Sequence, residues 1–258
     1  SVLFTTAGMQ QFKPYYTGEE DAKKNFILPN GSPAIGTVSI QKCLRTSDID
    51  EVGDESHLTF FEMLGNFSFG DYGKKEAIEY AHEFITKEMG LEIDYVTVFD
   101  GWKSSGLEII GEDKESKKIW KDLGLKEDQI RPGGFENNFW GPTGDEGPCG
   151  PTTEIYVRGL EIWNIVFNQY HKSIFSDQYV PLPKLGIDTG MGLERLVMVV
   201  QKKSNVFETD LFEPIMDKIK KYLPSIDDKS QRIMADHIKA STFLFFDGVE
   251  PSNKYRGY

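Results

Sequence analysis

The segment from Asp188 to Leu196, with the sequence DTGMGLERL, constrains the fold of this chain more than any other stretch. Two glycines precede the apolar residues Leu193, Leu196 and Val197, whose spacing predicts a strand that passes directly into a helix. Glycine lets a ligand lie close to the main chain, a carboxylate can hold an ammonium, and an arginine can bind phosphate or stack on a flat ring. The segment is therefore either a binding site for an amino acid and a nucleotide, or a glycine-tightened junction with a solvated Arg195.

A second unusual run, from Thr59 to Tyr72, mixes aromatic side chains with glycine and polar residues. Phe61 and Met63 could hold a purine between them, or could fill a core, which is the commoner role of such residues. The polar and glycine positions that follow them are unusual for a plain core strand. Residues 38–44 and 58–64 are apolar runs joined by a polar loop, which predicts a long antiparallel hairpin with Arg45 at the end of its first strand.

Residues 162–169 are predicted to form a strand on which Asn164, Val166 and Asn168 share one face. Amides beside aliphatic neighbours indicate either a sheet edge or the floor of a ligand site. Residues 132–151 are rich in Gly and Pro and are predicted to form a long irregular loop. Strands grouped with helices, without regular alternation of the two, favour an α+β fold around an antiparallel sheet.

Several function classes lack support in the sequence. It contains neither a GxGxxG fingerprint nor a GxxxxGK[ST] phosphate loop. The two cysteines, Cys43 and Cys149, and the four histidines show no metal-ligand spacing, so a structural zinc site is not expected. No signal peptide or apolar run of membrane-spanning length is present, which predicts a cytoplasmic protein without membrane contact.

The net charge of −12 argues against nucleic-acid binding by charge alone, because such proteins are usually basic. The charge is uneven, however. Residues 197–258 hold ten Lys or Arg and nine Asp or Glu, so the acidic excess lies in the first 196 residues. If a polyanion binds, the C-terminal quarter is the expected place.

Several blocks of the sequence resemble the alanyl-tRNA synthetase family, which belongs to class II of the aminoacyl-tRNA synthetases. The blocks occur in the family's order and cover nearly the whole chain. They are Phe4–Phe12, Thr59–Tyr72, Glu161–Phe167, Asp188–Leu196, Ala235–Ile238, Asp247–Val249 and residues 251–258.

The resemblance implies a six-stranded antiparallel class II sheet flanked by helices, followed by the start of a helical tRNA-recognition domain. We expect the aminoacylation domain to comprise residues 1–200 and the helical domain to begin at 201–258. The implied activity is ATP-dependent activation of L-alanine to alanyl-adenylate, followed by transfer to the acceptor end of tRNA(Ala). ATP with Mg²⁺, L-alanine and tRNA(Ala) are therefore the expected partners, and the chain is expected to be a monomeric catalytic fragment.

The resemblance also assigns roles to individual residues. Arg45 is expected to bind the α-phosphate and the alanine carboxylate, and Arg195 to stack on adenine and reach the γ-phosphate. Phe61 and Met63 are expected to line the adenine side, and Asp188 to bind the alanine ammonium. The remaining alanine-pocket residues are expected to be Trp140, Asn164, Val166 and Gly190.

Glu161 matches a magnesium-ligand position of the family, although strict strand alternation places it on the face opposite Asn164. The family usually has a longer acidic loop between Val157 and Arg158 than this chain has. Two alternatives stay open: a non-catalytic synthetase-like module that binds an adenylate or a partner protein, and a class II ligase for another small amino acid. No HxxxH-type editing motif is present, so editing is expected to lie outside this chain or to be absent.

Overall fold

The computed structural model of the protein describes residues 4–104, 107–175 and 178–252. Its strands are β1 (Gly36–Leu44), β2 (Phe60–Ser68), β3 (Tyr95–Phe99), β4 (Trp102–Ser104), β5 (Leu107–Ile110), β6 (Ile130–Gly133), β7 (Phe139–Trp140), β8 (Gly147–Val157), β9 (Leu160–Lys172) and β10 (Tyr179–Gly192). Its α-helices are α1 (Lys13–Thr17), α2 (Ala22–Asn25), α3 (Lys74–Glu83), α4 (Lys114–Asp122), α5 (Phe135–Asn138), α6 (Leu193–Val200), α7 (Glu213–Tyr222) and α8 (Asp228–Phe246).

Within the described residues, eight strands form one sheet in the order β1-β2-β10-β9-β8-β3-β6, with β7 paired to β8, and β4 and β5 form a separate hairpin. The β10–β9, β9–β8 and β8–β3 pairs are antiparallel, whereas β3 and β6 run parallel. The expected antiparallel sheet with flanking helices is therefore confirmed. The expected count of six strands is too low, and one edge of the sheet is parallel.

The chain divides into two compact units. The first unit comprises Ser1–Ala7, Gln41–Met63 and Gly192–Tyr258, and the second comprises Gly8–Ile40 and Leu64–Met191. The domain boundary expected at residue 200 stays a prediction.

The core of the second unit lies on one face of the central strands. Their fully buried side chains include Ile155, Ile165, Phe167 and Ile187, which recur at every second position along each strand. Helix α3 packs against β9 and against α4 on this unit. A buried ion pair joins the two helices: Lys74 Nζ lies 2.7 Å from Asp113 Oδ1, and both side chains are at most 4% exposed.

In the first unit, helix α8 packs on the sheet through a smaller apolar cluster. Leu44, Phe60 and Ala240 are buried there, with Phe4, Phe243 and Leu244 packed around them. The rings of Phe60 and Phe243 stack with their centroids 4.3 Å apart. Asp227 caps the start of α8 by accepting from the backbone N–H of Ser230 at 3.0 Å. The sequence has amphipathic helical spacing over residues 211–222 and 232–246, and these residues form α7 and most of α8.

The prediction that residues 132–151 form an irregular loop was wrong. The segment contains the end of β6, α5, β7 and the start of β8. Proline is tolerated in β8 because its register against β9 shifts between Cys149 and Thr152. Gly150 is needed there, since a Cβ atom at this position would lie 1.8 Å from the carbonyl oxygen of Phe167. The glycine therefore marks a close approach of two strands.

Residues 13–36 are rich in Gly, Pro, Asn and Lys, a composition typical of a loop, but they contain the short helices α1 and α2. Helix α1 begins with Pro14 in its first turn and ends at Gly18, whose φ of +80° is left-handed. Both end signals are present in the sequence, but five residues are too few for a visible helical period.

Strands β8 and β9 are joined by a turn of two residues, Arg158 and Gly159, with Val157 paired to Leu160. Both turn residues have positive φ, 54° and 76°, as a tight hairpin of this length requires. The two strands are thus joined by a closed hairpin at this point.

Candidate active site

In the first unit, Arg45 lies directly after the end of β1, where the sequence predicted it. Its backbone N–H donates to the carbonyl oxygen of Thr59 at 2.9 Å, and its Nε–H donates to the carbonyl oxygen of Thr6 at 2.9 Å. Its guanidinium carbon lies 5.2 Å from the centroid of the Phe61 ring, within the range of a cation–π contact. The stem of Arg45 is therefore fixed, and its two terminal NH₂ groups are the donors that a phosphate could meet.

Phe61 and Met63 lie on β2 two residues apart, so they project from the same face of the strand. Both are half-buried. The intervening backbone N–H of Glu62 donates to Glu194 Oε2 at 3.1 Å. The two predicted adenine-lining residues therefore lie on one face of β2. The backbone between them is hydrogen-bonded to Glu194 of α6.

Arg195 lies in the first turn of α6, whose N-cap is Gly192. Strand β10 ends at Gly192 and the helix begins at Leu193, so the strand-to-helix junction predicted from the sequence is confirmed. The neighbouring Glu194 is 1% exposed and accepts from Lys239 Nζ at 2.8 Å. Arg195 itself is half-buried.

In the second unit, β9 and β10 form a continuous floor of small and polar side chains. Asp188 pairs with Val166, Gly190 with Asn164, and Gly186 with Asn168. Residues directly opposite each other in an antiparallel pair project from the same face. Four of the predicted alanine-pocket residues, Asp188, Val166, Gly190 and Asn164, therefore share one face of the sheet.

Asp188 is a buried ionisable group on this floor. It is 5% exposed, and burial alone raises the pKa of its carboxyl group to about 7. A buried carboxylate without a neighbouring cation is costly, and an ammonium ligand would remove that cost. Its electrostatics therefore suit a site for a small cation.

Trp140 is half-buried on β7, and its Cα atom pairs with Gly150 of β8. Strand β8 continues to Thr152, which pairs with Val166 of β9. Trp140 therefore lies on β7, which pairs with β8, and β8 in turn pairs with β9 of the floor.

Glu161 lies on the face of Asn164, contrary to the expectation from strict alternation. The register of β8 against β9 shifts between Ile155 and Tyr156, so that Tyr156 pairs with Glu161 while Glu154 pairs with Asn164. Glu154 and Tyr156 share a face, since the Tyr156 hydroxyl donates to Glu154 Oε2 at 2.9 Å. Because of this bulge, Glu161 lies on the same face as Asn164, and strand alternation no longer argues against Glu161 as a magnesium ligand.

Two carboxylates flank Tyr156. Burial raises the pKa of Tyr156, and the negative charges of Glu154 and Glu161 raise it further. In the described part of the chain, no group of three or more His, Cys, Asp and Glu side chains is arranged to hold a metal ion. The two carboxylates are therefore at most a partial coordination set.

The sequence model of the family described as "tRNA synthetases class II (A)" matches residues 1–160 and 156–258. The chain belongs to this family. Because the matches together span the whole chain, both compact units belong to the matched region.

Three curated relatives of this chain are each named "Alanine--tRNA ligase". Those of Rubrobacter xylanophilus, Borrelia hermsii and Treponema pallidum are 42%, 45% and 44% identical over 100% of this chain. The matched region is 31%, 46% and 45% of the relatives' lengths, so the chain spans a third to a half of the proteins it resembles. Among solved structures, "Aspartyl tRNA synthetase from Entamoeba histolytica" matches 82% of this chain and 52% of its own, with 13% identity and a TM-score of 0.43.

Two residues that lie beside the floor were given no role by the sequence. Tyr16 is buried on α1, and its hydroxyl donates to the carbonyl oxygen of Ile187 at 2.6 Å. Asn168 is fully buried, and neither polar atom of its amide has a hydrogen-bond partner within the described structure. The strand alternation had placed Asn168 on the correct face, whereas nothing in the sequence connects Tyr16 with a segment 171 residues away.

The chain has two buried free cysteines, Cys43 and Cys149, and burial raises the pKa of each thiol to about 12. Both thiols are therefore almost entirely protonated at neutral pH, which leaves little of the nucleophilic thiolate. No helix in the described ranges is both long and apolar enough to cross a membrane.

Proposed function

We propose that this chain activates L-alanine with ATP and transfers the alanyl group to tRNA(Ala). The observation that carries the proposal is the buried Asp188 opposite Val166 on the β9–β10 floor. A carboxylate with an aliphatic neighbour and a glycine two residues away suits a small zwitterion with an ammonium and a short side chain. The family membership and the relatives' names support alanine as that ligand.

In the proposed activation step, an oxygen of the alanine carboxylate attacks the α-phosphorus of ATP. The new bond is the mixed anhydride of alanyl-adenylate, and the bond that breaks is the one to the leaving pyrophosphate. Arg45 binds the α-phosphate and offsets the charge that develops on the phosphorus oxygens, while Arg195 binds the nucleotide. Asp188 holds the ammonium, so that the carboxylate is presented in one orientation.

In the proposed transfer step, a terminal ribose hydroxyl of tRNA(Ala) attacks the acyl carbon, and AMP leaves. Neither step needs a covalent enzyme intermediate, which agrees with the unreactive state of both cysteines. The rate enhancement then comes from positioning and charge stabilisation. We further propose that the protein works in the cytoplasm and that the chain is a monomer.

Mg²⁺ would enter with the ATP phosphates. Magnesium in nucleotide sites is usually held by one or two protein carboxylates, substrate phosphates and waters, so a partial set of protein ligands is sufficient. Glu161, with Glu154 on the same face, has the oxygen donors that Mg²⁺ prefers. When bound, the ion would neutralise phosphate charge. A Glu161→Gln variant should need about tenfold more Mg²⁺ for half-maximal exchange if one carboxylate ligand is lost.

The small floor around Val166 predicts limited selectivity for alanine over glycine and serine. A pocket that fits a methyl group rejects glycine or serine by only about 1–3 kcal/mol, since the difference is one methylene or one hydroxyl group. We therefore expect measurable activation of glycine and serine at high concentration, with alanine preferred about 10- to 100-fold in kcat/KM.

The test is ATP–pyrophosphate exchange measured with each of the twenty amino acids. Exchange should depend on alanine and should be lost in folded Arg45→Ala and Asp188→Asn variants. Arg131→Ala is the matched control, because its guanidinium also stacks on a ring, that of Tyr95, but on exposed surface. Exchange equally fast without an amino acid would refute the proposal. Calorimetric binding of a non-hydrolysable alanyl-adenylate mimic without turnover would instead identify a binding module.

Transfer is tested separately by charging a minihelix that copies the acceptor stem of tRNA(Ala). Alanyl-minihelix should form only with ATP, alanine and Mg²⁺ together. A chain that exchanges pyrophosphate but never charges the minihelix would limit the proposed function to adenylate formation.

A further inference from the structure

A buried ion pair links helix α8 to the segment that carries Arg195. Lys239 Nζ donates to Glu194 Oε1 at 2.8 Å, and the two side chains are 11% and 1% exposed. The Lys239 ammonium also lies 4.6 Å from the Phe212 ring centroid and 5.7 Å from that of Phe60. A lysine enclosed by two rings and one carboxylate has a single favourable position.

The second oxygen of Glu194 is also occupied. Glu194 Oε2 accepts the backbone N–H of Glu62, which lies between Phe61 and Met63 on β2. The carboxylate thus binds Lys239 on one side and the β2 main chain on the other. Because Glu194 immediately precedes Arg195, its position fixes the first turn of α6 relative to β2 within this unit.

Helix α8 makes a second, independent contact one helical turn away, with Thr59, the residue that directly precedes β2. Asp236 is fully buried and accepts the backbone N–H of Thr59 through Oδ1 at 2.9 Å. Residues three apart on a helix lie on the same face, so Asp236 and Lys239 both point toward this strand. The Thr59 carbonyl in turn accepts from the backbone of Arg45. The hydrogen bonds therefore run from α8 to Arg45 through Thr59, and to Glu62 and α6 through Glu194.

A buried ion pair is weak evidence for stability alone, because desolvation offsets most of its attraction. What the pair provides here is a fixed geometry, since the planar carboxylate must meet two donors at once. The segments that Glu194 joins carry Phe61 and Arg195, which are proposed to bind the nucleotide, whereas Asp188 and the other residues of the alanine pocket belong to the second unit. A loosened pair should therefore affect ATP more than alanine.

We propose that Lys239 is a positioning residue for ATP, which acts through Glu194 on β2 and on the first turn of α6. The inference rests on the proposed function, since it assigns ATP to Phe61 and Arg195. Loss of the lysine lets the Glu194 carboxylate move. The relative position of β2 and the first turn of α6, which are proposed to bind the nucleotide, is then no longer fixed.

The experiment compares Lys239→Met, Lys239→Arg and the control Lys218→Met, which removes an exposed lysine from α7. KM for ATP and KM for alanine are measured by pyrophosphate exchange, and ATP affinity by calorimetry. Lys239→Met should raise KM for ATP about tenfold or more, as expected when a charge-assisted hydrogen bond is lost, with KM for alanine within about twofold of wild type. Lys239→Arg should restore most of the ATP affinity, and Lys218→Met should match wild type.

Lys239→Met leaves a buried carboxylate and could fail to fold for that reason alone. The double variant Lys239→Met/Glu194→Gln removes the charge but keeps an acceptor for the Glu62 N–H, and it should fold with ATP affinity still weakened. Unchanged ATP affinity in the folded double variant, or equal losses for ATP and alanine, would overturn the inference. Failure of the proposed function is distinguishable, because wild-type protein would then show no alanine-dependent exchange.

Discussion

The hydroxyl of Tyr16 donates to the carbonyl oxygen of Ile187 at 2.6 Å, the residue that directly precedes Asp188. The ring of Tyr16 also occupies the space above Gly186, where a Cβ atom would lie 2.3 Å from it. Helix α1 therefore fixes the main chain on both sides of position 187. A residue far away in the sequence thus sets the position of the carboxylate proposed to hold the substrate.

Tyr16→Phe tests the first part of this relationship. We expect the variant to lose about 1–2 kcal/mol of unfolding free energy, because the buried Ile187 carbonyl loses its donor while the ring stays in place. Urea denaturation measures the change. Tyr80→Phe is the control, since Tyr80 is about half exposed and its ring contact with Tyr72 survives the substitution. Equal effects of the two substitutions would contradict the role of the hydroxyl.

The alanine KM should depend on pH through Asp188. Burial raises the pKa of this carboxyl group to about 7, so at lower pH it is largely protonated and cannot pair with an ammonium. KM for alanine should therefore rise about tenfold for each pH unit below 7 and level off above it. KM for ATP, measured in the same exchange assays, serves as the internal control. An alanine KM that is flat between pH 5.5 and 8 would contradict this assignment.

The same carboxyl group should make the fold less stable at higher pH. Its pKa rises from 3.8 to about 7 on folding, so the folded state binds more protons between these values and stability falls as the pH rises through them. The fall attributable to Asp188 is about 4 kcal/mol at most, at 1.36 kcal/mol per pKa unit. Asp188→Asn should therefore be more stable than wild type at pH 8, and the difference should shrink toward pH 4. Urea midpoints at the two pH values test this, and a constant difference would contradict it.

The buried pair of Lys74 and Asp113 should be costly to break. Lys74→Met should reduce the unfolding free energy by about 3–5 kcal/mol, because Asp113 would be left as an uncompensated buried charge. Adding Asp113→Asn should recover part of the loss, since asparagine still accepts the Ser116 N–H that starts α4. The exposed neighbour Lys75, 3.8 Å from Glu79, is the control, and Lys75→Met should change stability by less than about 0.5 kcal/mol.

Cys43 and Cys149 should not react with thiol reagents in the folded protein. Burial raises both thiol pKa values to about 12, so the reactive thiolate is scarce at pH 8 and the sulfur atoms are shielded. Labelling with a thiol-specific disulfide reagent should be slow in buffer and should reach two thiols per chain in denaturant. Rapid labelling of either cysteine without denaturant would contradict their burial.

The sequence was most informative where its signals are local. The strand-to-helix junction at Gly192 and Leu193 was correct, because apolar spacing and glycine both mark it. The face shared by Asn164 and Val166 was also correct, since strand alternation has a fixed period. The roles assigned to these residues stay predictions.

The sequence was less informative where two distant segments meet. The face on which Glu161 lies depends on a register shift between β8 and β9. The alternation of residues along β9 alone does not reveal this shift. The strands within residues 132–151 were missed because Gly and Pro normally indicate loops, whereas here Gly150 permits contact with Phe167. Tyr16 was missed because hydrogen bonding to Ile187 exists only once α1 has packed on β10.

The two-residue turn at Arg158 and Gly159 has a practical consequence. Both residues are exposed, and the strands on either side are paired up to Val157 and Leu160. New termini or a short reporter peptide placed there would extend into solvent without changing the register of Asn164 against Gly190. The turn is therefore the place to attach a fluorophore or a surface tether while the β9–β10 floor stays intact.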